Sequence, residues 1–403
     1  MRKTVLDNGF EIYTDTIDIA KTVTFSIYVK TGSYNETNRF GIAHVLEHMV
    51  FKGTNKRDVH QINEEIEDHG GYMNAETTFE HTRYFATIPY ENWKVAGDVI
   101  TDLVLDPIFP KDEVELEKKV IQEELKMYSD DASSHVYDML FEGMHPSYKN
   151  RQSIGGTVES VGEISREDII DFKNKHYTPN NMFAVVTGNV SHDEVVKFLE
   201  EVVGKVKNTS VLSKEESEFE PDILSSDTVT VERHIDQVHY SWGLFAPPSN
   251  HKDSIVAELI TTLLSSRLYK LIREQRGLCY TISVGYMGLK DSGIIMGYSG
   301  LERNCLEDVK EIVLEQFELL RTEDVDSKEF KRMVQKMKGN HVITFEKMSA
   351  INSYIGTAII QNTSTDPDDF VKDLESVNPE DLKRFAKQYF TPDNWQFVQI
   401  VPK

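Results

Sequence analysis

Cysteine is nearly absent. Cys279 and Cys305 are the only two in 403 residues, which excludes a disulfide scaffold and any all-cysteine metal site. So few thiols suit a reducing compartment, and a cytoplasmic location is expected. Positive charge is also short, with 44 Lys and Arg against 67 Asp and Glu, or 44 − 67 = −23. Such a chain lacks the clustered cations that grip a phosphate backbone, so nucleic acid is not an expected partner. Nothing approaches ~18 uninterrupted apolar residues, and the opening Met1–Gly9 carries no apolar signal core, so no membrane partner is expected. Hydrophobic residues at 39% and charged residues at 28% describe a folded chain of two or three domains.

The chain contains an internal repeat. Glu167-Asp168, Phe172 and Thr178-Pro179-Asn180-Asn181 precede the strand-like Phe183–Val186, and Glu380-Asp381, Phe385 and Thr391-Pro392-Asp393-Asn394 precede Phe397-Val398. The two segments align without gaps at an offset of 213 residues, about half the chain. Two homologous halves follow, 1–210 and 228–403, joined by a polar, acidic linker at 211–227. Strand-like runs such as Thr22–Val29 are followed by helical patterns near 41–51 and 58–69 and an extended Tyr72–Ile88 stretch. That order predicts an α+β fold in which each half packs helices on a mainly antiparallel sheet.

Gly41-Ile42-Ala43-His44-Val45-Leu46-Glu47-His48-Met49 carries the strongest chemical signal. At about 100° per residue, with His44 at zero, Glu47 falls at about 300° and His48 at about 40°. Ile42, Val45, Leu46 and Met49 occupy the opposite side, so the polar trio shares one helix face. Two imidazoles at i and i+4 can reach one cation, and the intervening carboxylate then sits beside any water bound there. The spacing is the His-x-x-Glu-His motif, and chance supplies roughly 0.07 matches to His-x-x-[Asp/Glu]-His in a chain of this composition. The competing reading is a helix with two solvated histidines.

A third protein ligand is expected, and the acidic stretch Asp112–Lys126 is its source. There Glu117 and Glu124 share a face with Val120 and Ile121, and carboxylates turned inward need a cation or strong hydrogen bonds. Helical phase favours Glu124 over Glu123 as the ligand, with Glu117 supporting a ligand from behind. A charged helix turned to solvent is the alternative for this stretch alone.

His44-x-x-Glu47-His48 followed by Glu124 resembles the pitrilysin-type zinc metallopeptidases. The likeness is closest to the branch of the mitochondrial processing peptidase and its short bacterial relatives. It extends through Leu6-Asp7-Asn8-Gly9, Asn74-Ala75, Glu80-x-Thr82-x-Tyr84 and Ser265-Ser266-Arg267-Leu268. The resemblance implies that His44, His48 and Glu124 bind zinc (one Zn2+ per chain), that Glu47 is the catalytic base and that Glu117 supports. It implies that Asn74 and Ala75 lie on a strand edge that pairs with extended peptide. It also implies that Arg276 and Tyr280 of Arg276-Gly277-Leu278-Cys279-Tyr280 contact substrate and oxyanion. Of the two acidic positions the processing peptidase uses to select arginine, one is matched by Asp138 and the other is occupied by Ser134. At offset 213 the metal motif maps to Ala257, Ile260, Thr261 and Met337, so only the first half is expected to hold metal. A zinc endopeptidase for unfolded, possibly basic peptides is implied, a homodimer forming a clam-shell chamber; a non-catalytic peptide-binding or scaffold subunit of the same fold is the rival.

Overall fold

Period-2 alternation builds the strands around which everything else packs. A computed structural model describes residues 1–144, 153–208, 224 and 228–403. The first half opens with β1 (Arg2–Val5), β2 (Glu11–Thr16), β3 (Thr22–Val29), α1 (Ile42–Val50), α2 (Val59–Glu67), β4 (Tyr72–Thr77) and β5 (Thr82–Pro89). It continues with α3 (Trp93–Leu105), α4 (Lys111–Asp130), α5 (Ala132–Met144), α6 (Val158–Glu163), α7 (Arg166–His176), β6 (Met182–Gly188) and α8 (His192–Val202). The second half contains β7 (Thr228–Arg233), β8 (Val238–Ala246), α9 (Ser254–Leu268), β9 (Cys279–Gly288), β10 (Gly293–Leu301), α10 (Leu306–Thr322) and α11 (Ser327–Thr344). It ends with α12 (Met348–Gln361), α13 (Pro367–Ser376), α14 (Pro379–Tyr389) and β11 (Gln396–Pro402). The expected linker at 211–227 lies outside the described residues apart from Leu224.

The first sheet runs β1-β2-β6-β3-β5-β4 and the second β7-β11-β8-β10-β9. In each, one pair is parallel, β2 with β6 and β11 with β7, and the others are antiparallel. The repeat is visible in local structure. Helix α7 starts behind a Ser165–Asp168 capping box and α14 behind an Asn378–Asp381 one, each satisfying exposed N–H groups at the helix start. Residues Arg166–His176 plus 213 are Pro379–Tyr389, the limits of those two helices.

The chain forms two compact units. The first consists of the described residues of Met1–Lys126, Gln152–Glu216 and Thr344–Ile360, and the second of the remainder. Each half of the sequence therefore lends one helix, α5 to the second unit and α12 to the first, where the repeat had suggested two continuous blocks. The cause is a sheet buried on both faces. In β3, Val23, Phe25, Ile27 and Val29 join the core under the helices of the first half, while Tyr28 points the other way with Tyr13, Phe183 and Val185. Ile351, Ile355 and Ile360 of α12 cover that second face. In the second unit, Val136, Leu140 and Met144 of α5 similarly pack on Phe245, Ile294, Val398 and Ile400.

Asn352 fastens α12 to its sheet. The side chain is fully buried. Its Nδ2 donates to the carbonyls of Thr24 (3.0 Å) and Val185 (2.9 Å), and its Oδ1 accepts from Ser26 Oγ (2.5 Å) and the Arg83 guanidinium (3.1 Å). Replacing Asn352 with Leu strips partners from a buried guanidinium and hydroxyl, so the unfolding free energy should fall by about 2–4 kcal/mol in a urea titration.

His176 on α7 is buried, and burial followed by the nearby Lys175 charge lowers its pKa from 6.5 to about 4. The folded protein thus keeps this ring neutral where the unfolded chain binds a proton. Its contribution to stability is complete above about pH 6.5 and is lost as pH falls towards 4, at no more than about 1.4 kcal/mol per pH unit. The stability gap between the wild type and His176→Gln should accordingly narrow between urea titrations at pH 7 and pH 5.

Candidate metal centre

Helix α1 separates its two chemistries as its periodicity requires. Ile42, Ala43, Val45, Leu46, Met49 and Val50 are buried in the core, while His44, Glu47 and His48 are only partly covered. Helix α4 buries Val114, Glu117, Lys118 and Ile121 and presents Glu124. Together these helices bring one donor atom each from His44, His48 and Glu124 within 4.8 Å of one another. The two imidazole centroids are 4.6 Å apart at an interplanar angle of 74°, and His48 Nε2 lies 3.7 Å from Glu124 Oε2.

The groups behind the ligands are set just as closely. His48 Nδ1 is 2.9 Å from Glu117 Oε1, and the other Glu117 oxygen forms an ion pair with Lys52 Nζ at 2.5 Å. When Nδ1–H donates to Glu117, Nε2 keeps its lone pair for a metal, the usual outer arrangement of a ligating histidine. Burial disfavours charge on Glu117, but the hydrogen bonds from His48 and Lys52 prevail and lower its pKa. Burial likewise opposes charge on His48 and is outweighed by Glu117, Glu47 and Glu124, which raise it. His44 has no such support: burial, then the His48 charge, brings it down to about 4. A neutral His44 ring, an Nε2 offered by His48 and a carboxylate from Glu124, with one donor atom each within 4.8 Å of one another, make a donor set that fits a zinc-type ion.

Glu47 points from the same helix towards strand β4, where Thr77 Oγ1 donates to its Oε2 at 2.5 Å. Burial raises the Glu47 pKa despite the Thr77 hydrogen bond and the His48 charge. A carboxylate held this way, one residue from a ligating histidine, can accept and return a proton.

The expected site residues divide between the units. His44, Glu47, His48, Glu117 and Glu124 come together in the first unit, along with Asn74 and Ala75 on β4, the last strand of its sheet. Asp138 on α5, and Arg276 and Tyr280 at the entry to β9, belong to the second. Asp138 is half-buried, and burial with the Glu142 charge pushes it up to about 6. Tyr280 is 60% exposed. Ser134 is occupied locally, its Oγ donating to Asp131 at 2.6 Å. Thr77, Lys52 and Glu36 had not been singled out from the sequence. Lys52 was the most accessible of them, standing one helical turn beyond His48. In the second unit α9 places Ala257 and Ile260 in the core and turns the Thr261 hydroxyl back onto the Ala257 carbonyl at 2.9 Å, leaving no ligand set at the repeat position.

Residues 13–158 match the family described as "Insulinase (Peptidase family M16)", and residues 163–337 match "Peptidase M16 inactive domain". An uncharacterized zinc protease of Bacillus subtilis is 28% identical over 400 residues, covering 98% of this chain and 96% of its own. One from Streptomyces coelicolor is 28% identical over 397 residues, covering 96% and 86%. Among solved structures, a protease from Helicobacter pylori superimposes with a TM-score of 0.94 at 21% identity over 100% of this chain and 99% of that one. The structure titled peptidase M16 inactive domain from Pseudomonas fluorescens has a TM-score of 0.92 at 17% identity, covering 100% and 98%. The chain belongs to peptidase family M16, as a short, bacterial-type member of the pitrilysin class. The inactive-domain match falls mainly on the half in which Ala257, Thr261 and Met337 stand at the repeat-related ligand positions.

No helix among the described residues is long and apolar enough to cross a membrane. Replacing Glu117 with Gln should raise the zinc dissociation constant of the folded protein about 10- to 100-fold in a chelator competition, because His48 loses its charged partner.

Proposed function

We propose that this chain is a zinc-dependent endopeptidase that hydrolyses unfolded or extended peptide segments, working as a homodimer with its sites inside an enclosed chamber. The observation that carries the reading is the convergence of His44, His48 and Glu124 with Glu47 on the same face of α1 as the two histidines. The zinc proteases among its relatives support the choice of metal. Zinc, when bound, would supply Lewis acidity towards a carbonyl oxygen and make water more acidic.

This chain's residues would do the rest. Glu47, oriented by Thr77, takes the proton of the attacking water and passes it to the leaving amine. Its burial, by raising the pKa, makes the carboxylate a stronger base towards that water. Glu117 holds the His48 ring and is itself held by Lys52. Strand β4 ends its sheet, so Asn74 and Ala75 are offered for main-chain pairing with extended substrate, a mode tolerant of sequence. Tyr280 and Arg276 are assigned to the oxyanion and substrate on the strength of the resemblance, and the exposure of Tyr280 is compatible with it. Asp138 is assigned to basic substrate side chains. The net charge of −23 favours basic peptides in a general way.

Glu47→Gln tests the reading. It preserves the shape of the side chain and removes the base, so cleavage of an unstructured peptide library, followed by mass spectrometry, should fall at least about 1,000-fold while zinc content stays at the wild-type level. Retained turnover in that variant, or a zinc-loaded wild type that cuts no peptide, would reject it.

A further inference from the structure

His48 is oriented by a side chain, but His44 is not. Its Nδ1 is buried and has no hydrogen-bond partner among the described residues. The position of His44 therefore depends on the helical turn that carries it, and it is the third residue of α1, inside the first turn. The first N–H groups of any helix lack partners within the helix, and here that end is buried with unusual backbone. Gly41 stands at the cap position with φ 87°, and a Cβ there would lie 2.4 Å from the Gly155 carbonyl oxygen. Ser, Thr, Asn or Asp, the usual capping residues, are thereby excluded from position 41.

Glu36 takes over the task from five residues upstream. Its Oε2 accepts from Gly41 N–H at 2.8 Å and its Oε1 from Ala43 N–H at 2.9 Å. The carboxyl is only 5% exposed, and the Glu36 N–H is tied to the Ser33 carbonyl at 3.1 Å. Both oxygens are used, and both hold backbone flanking Ile42 and leading directly into His44. Burial pushes this carboxyl up to about 8 against the pull of the two N–H donors. A group held at such a cost in solvation has a defined task, and the positive end of α1 is where an acceptor is best placed.

We propose that Glu36 is a positioning residue for the metal centre, setting His44 through the first turn of α1 much as Glu117 sets His48 through a direct hydrogen bond. The proposal rests on the zinc reading above and concerns how the site is held in place. The test compares wild type, Glu36→Ala, Glu36→Gln and a control, Asp58→Ala. Asp58 caps α2 by accepting from His60 N–H and Gln61 N–H, both at 2.9 Å, on a helix without metal residues. Zinc dissociation constants are measured by chelator competition at a temperature where circular dichroism shows every variant folded, beside their thermal midpoints.

Glu36→Ala should bind zinc about 10- to 100-fold more weakly. Glu36→Gln keeps one acceptor oxygen and should recover part of that loss. Asp58→Ala should lower the midpoint and leave zinc affinity unchanged. If Glu36→Ala does not fold, the Gln variant alone carries the comparison. Wild-type zinc affinity in the folded Glu36 variants, or an equal loss of affinity in Asp58→Ala, overturns the positioning role while leaving the zinc reading intact. A wild type that binds no zinc overturns both.

Discussion

The metal centre is governed by an imbalance of charge. Glu47, Glu117 and Glu124 stand around two imidazoles in a half-buried space, and Lys52 supplies a cation paired with Glu117. Carboxylates withdrawn from water to this degree are stable only with a compensating positive charge. His44, His48 and Glu124, with one donor atom each within 4.8 Å of one another, form the candidate place for that charge. The rest of the first unit serves to keep these groups on rigid helices. The apolar side of α1 is locked into the core, α4 buries Glu117 beside Ile121, and β4 fixes Glu47 through Thr77. Sites mounted on helices and strands hold their donors more accurately than sites on loops.

That rigidity has its own requirement. A sheet with two apolar faces needs cover on both, and each unit obtains the second cover from a helix of the other half of the sequence. For the first unit this is α12, whose Asn352 is bonded to β3, β5 and β6 together. On β3, between the inward-facing Phe25 and Ile27, Ser26 gives its hydroxyl to Asn352, and the Thr24 carbonyl accepts from the Asn352 amide. The same strand therefore carries an apolar core on one side and a polar fastening on the other.

Much of this was legible in the sequence, because it rests on local periodicity. The 213-residue repeat, the alternation in β3 and the helical phase of His44, Glu47 and His48 each follow from one stretch of chain. Glu124 was legible for a related reason, since an inward carboxylate among Val120 and Ile121 is anomalous unless something pairs with it. The replacements Ala257, Ile260 and Thr261 in α9, which offer no imidazole or carboxylate, were equally plain once the halves were aligned, and among the described residues the ligand group lies in the first half.

What only the tertiary structure decided involves partners far apart in the chain or atoms with no periodic signature. Thr77 reaches Glu47 because β4 passes beside α1, and Lys52 reaches Glu117 because α4 packs against that helix. Glu36 is one of 67 acidic residues in the sequence, and its capping of α1 depends on a turn that brings it back onto Gly41. The exchange of α5 and α12 was hidden for the same reason, as an amphipathic pattern states that a face must be covered and leaves open which sheet will cover it. Local chemistry thus wrote the candidate ligands into the sequence, and long-range packing chose the groups that hold them.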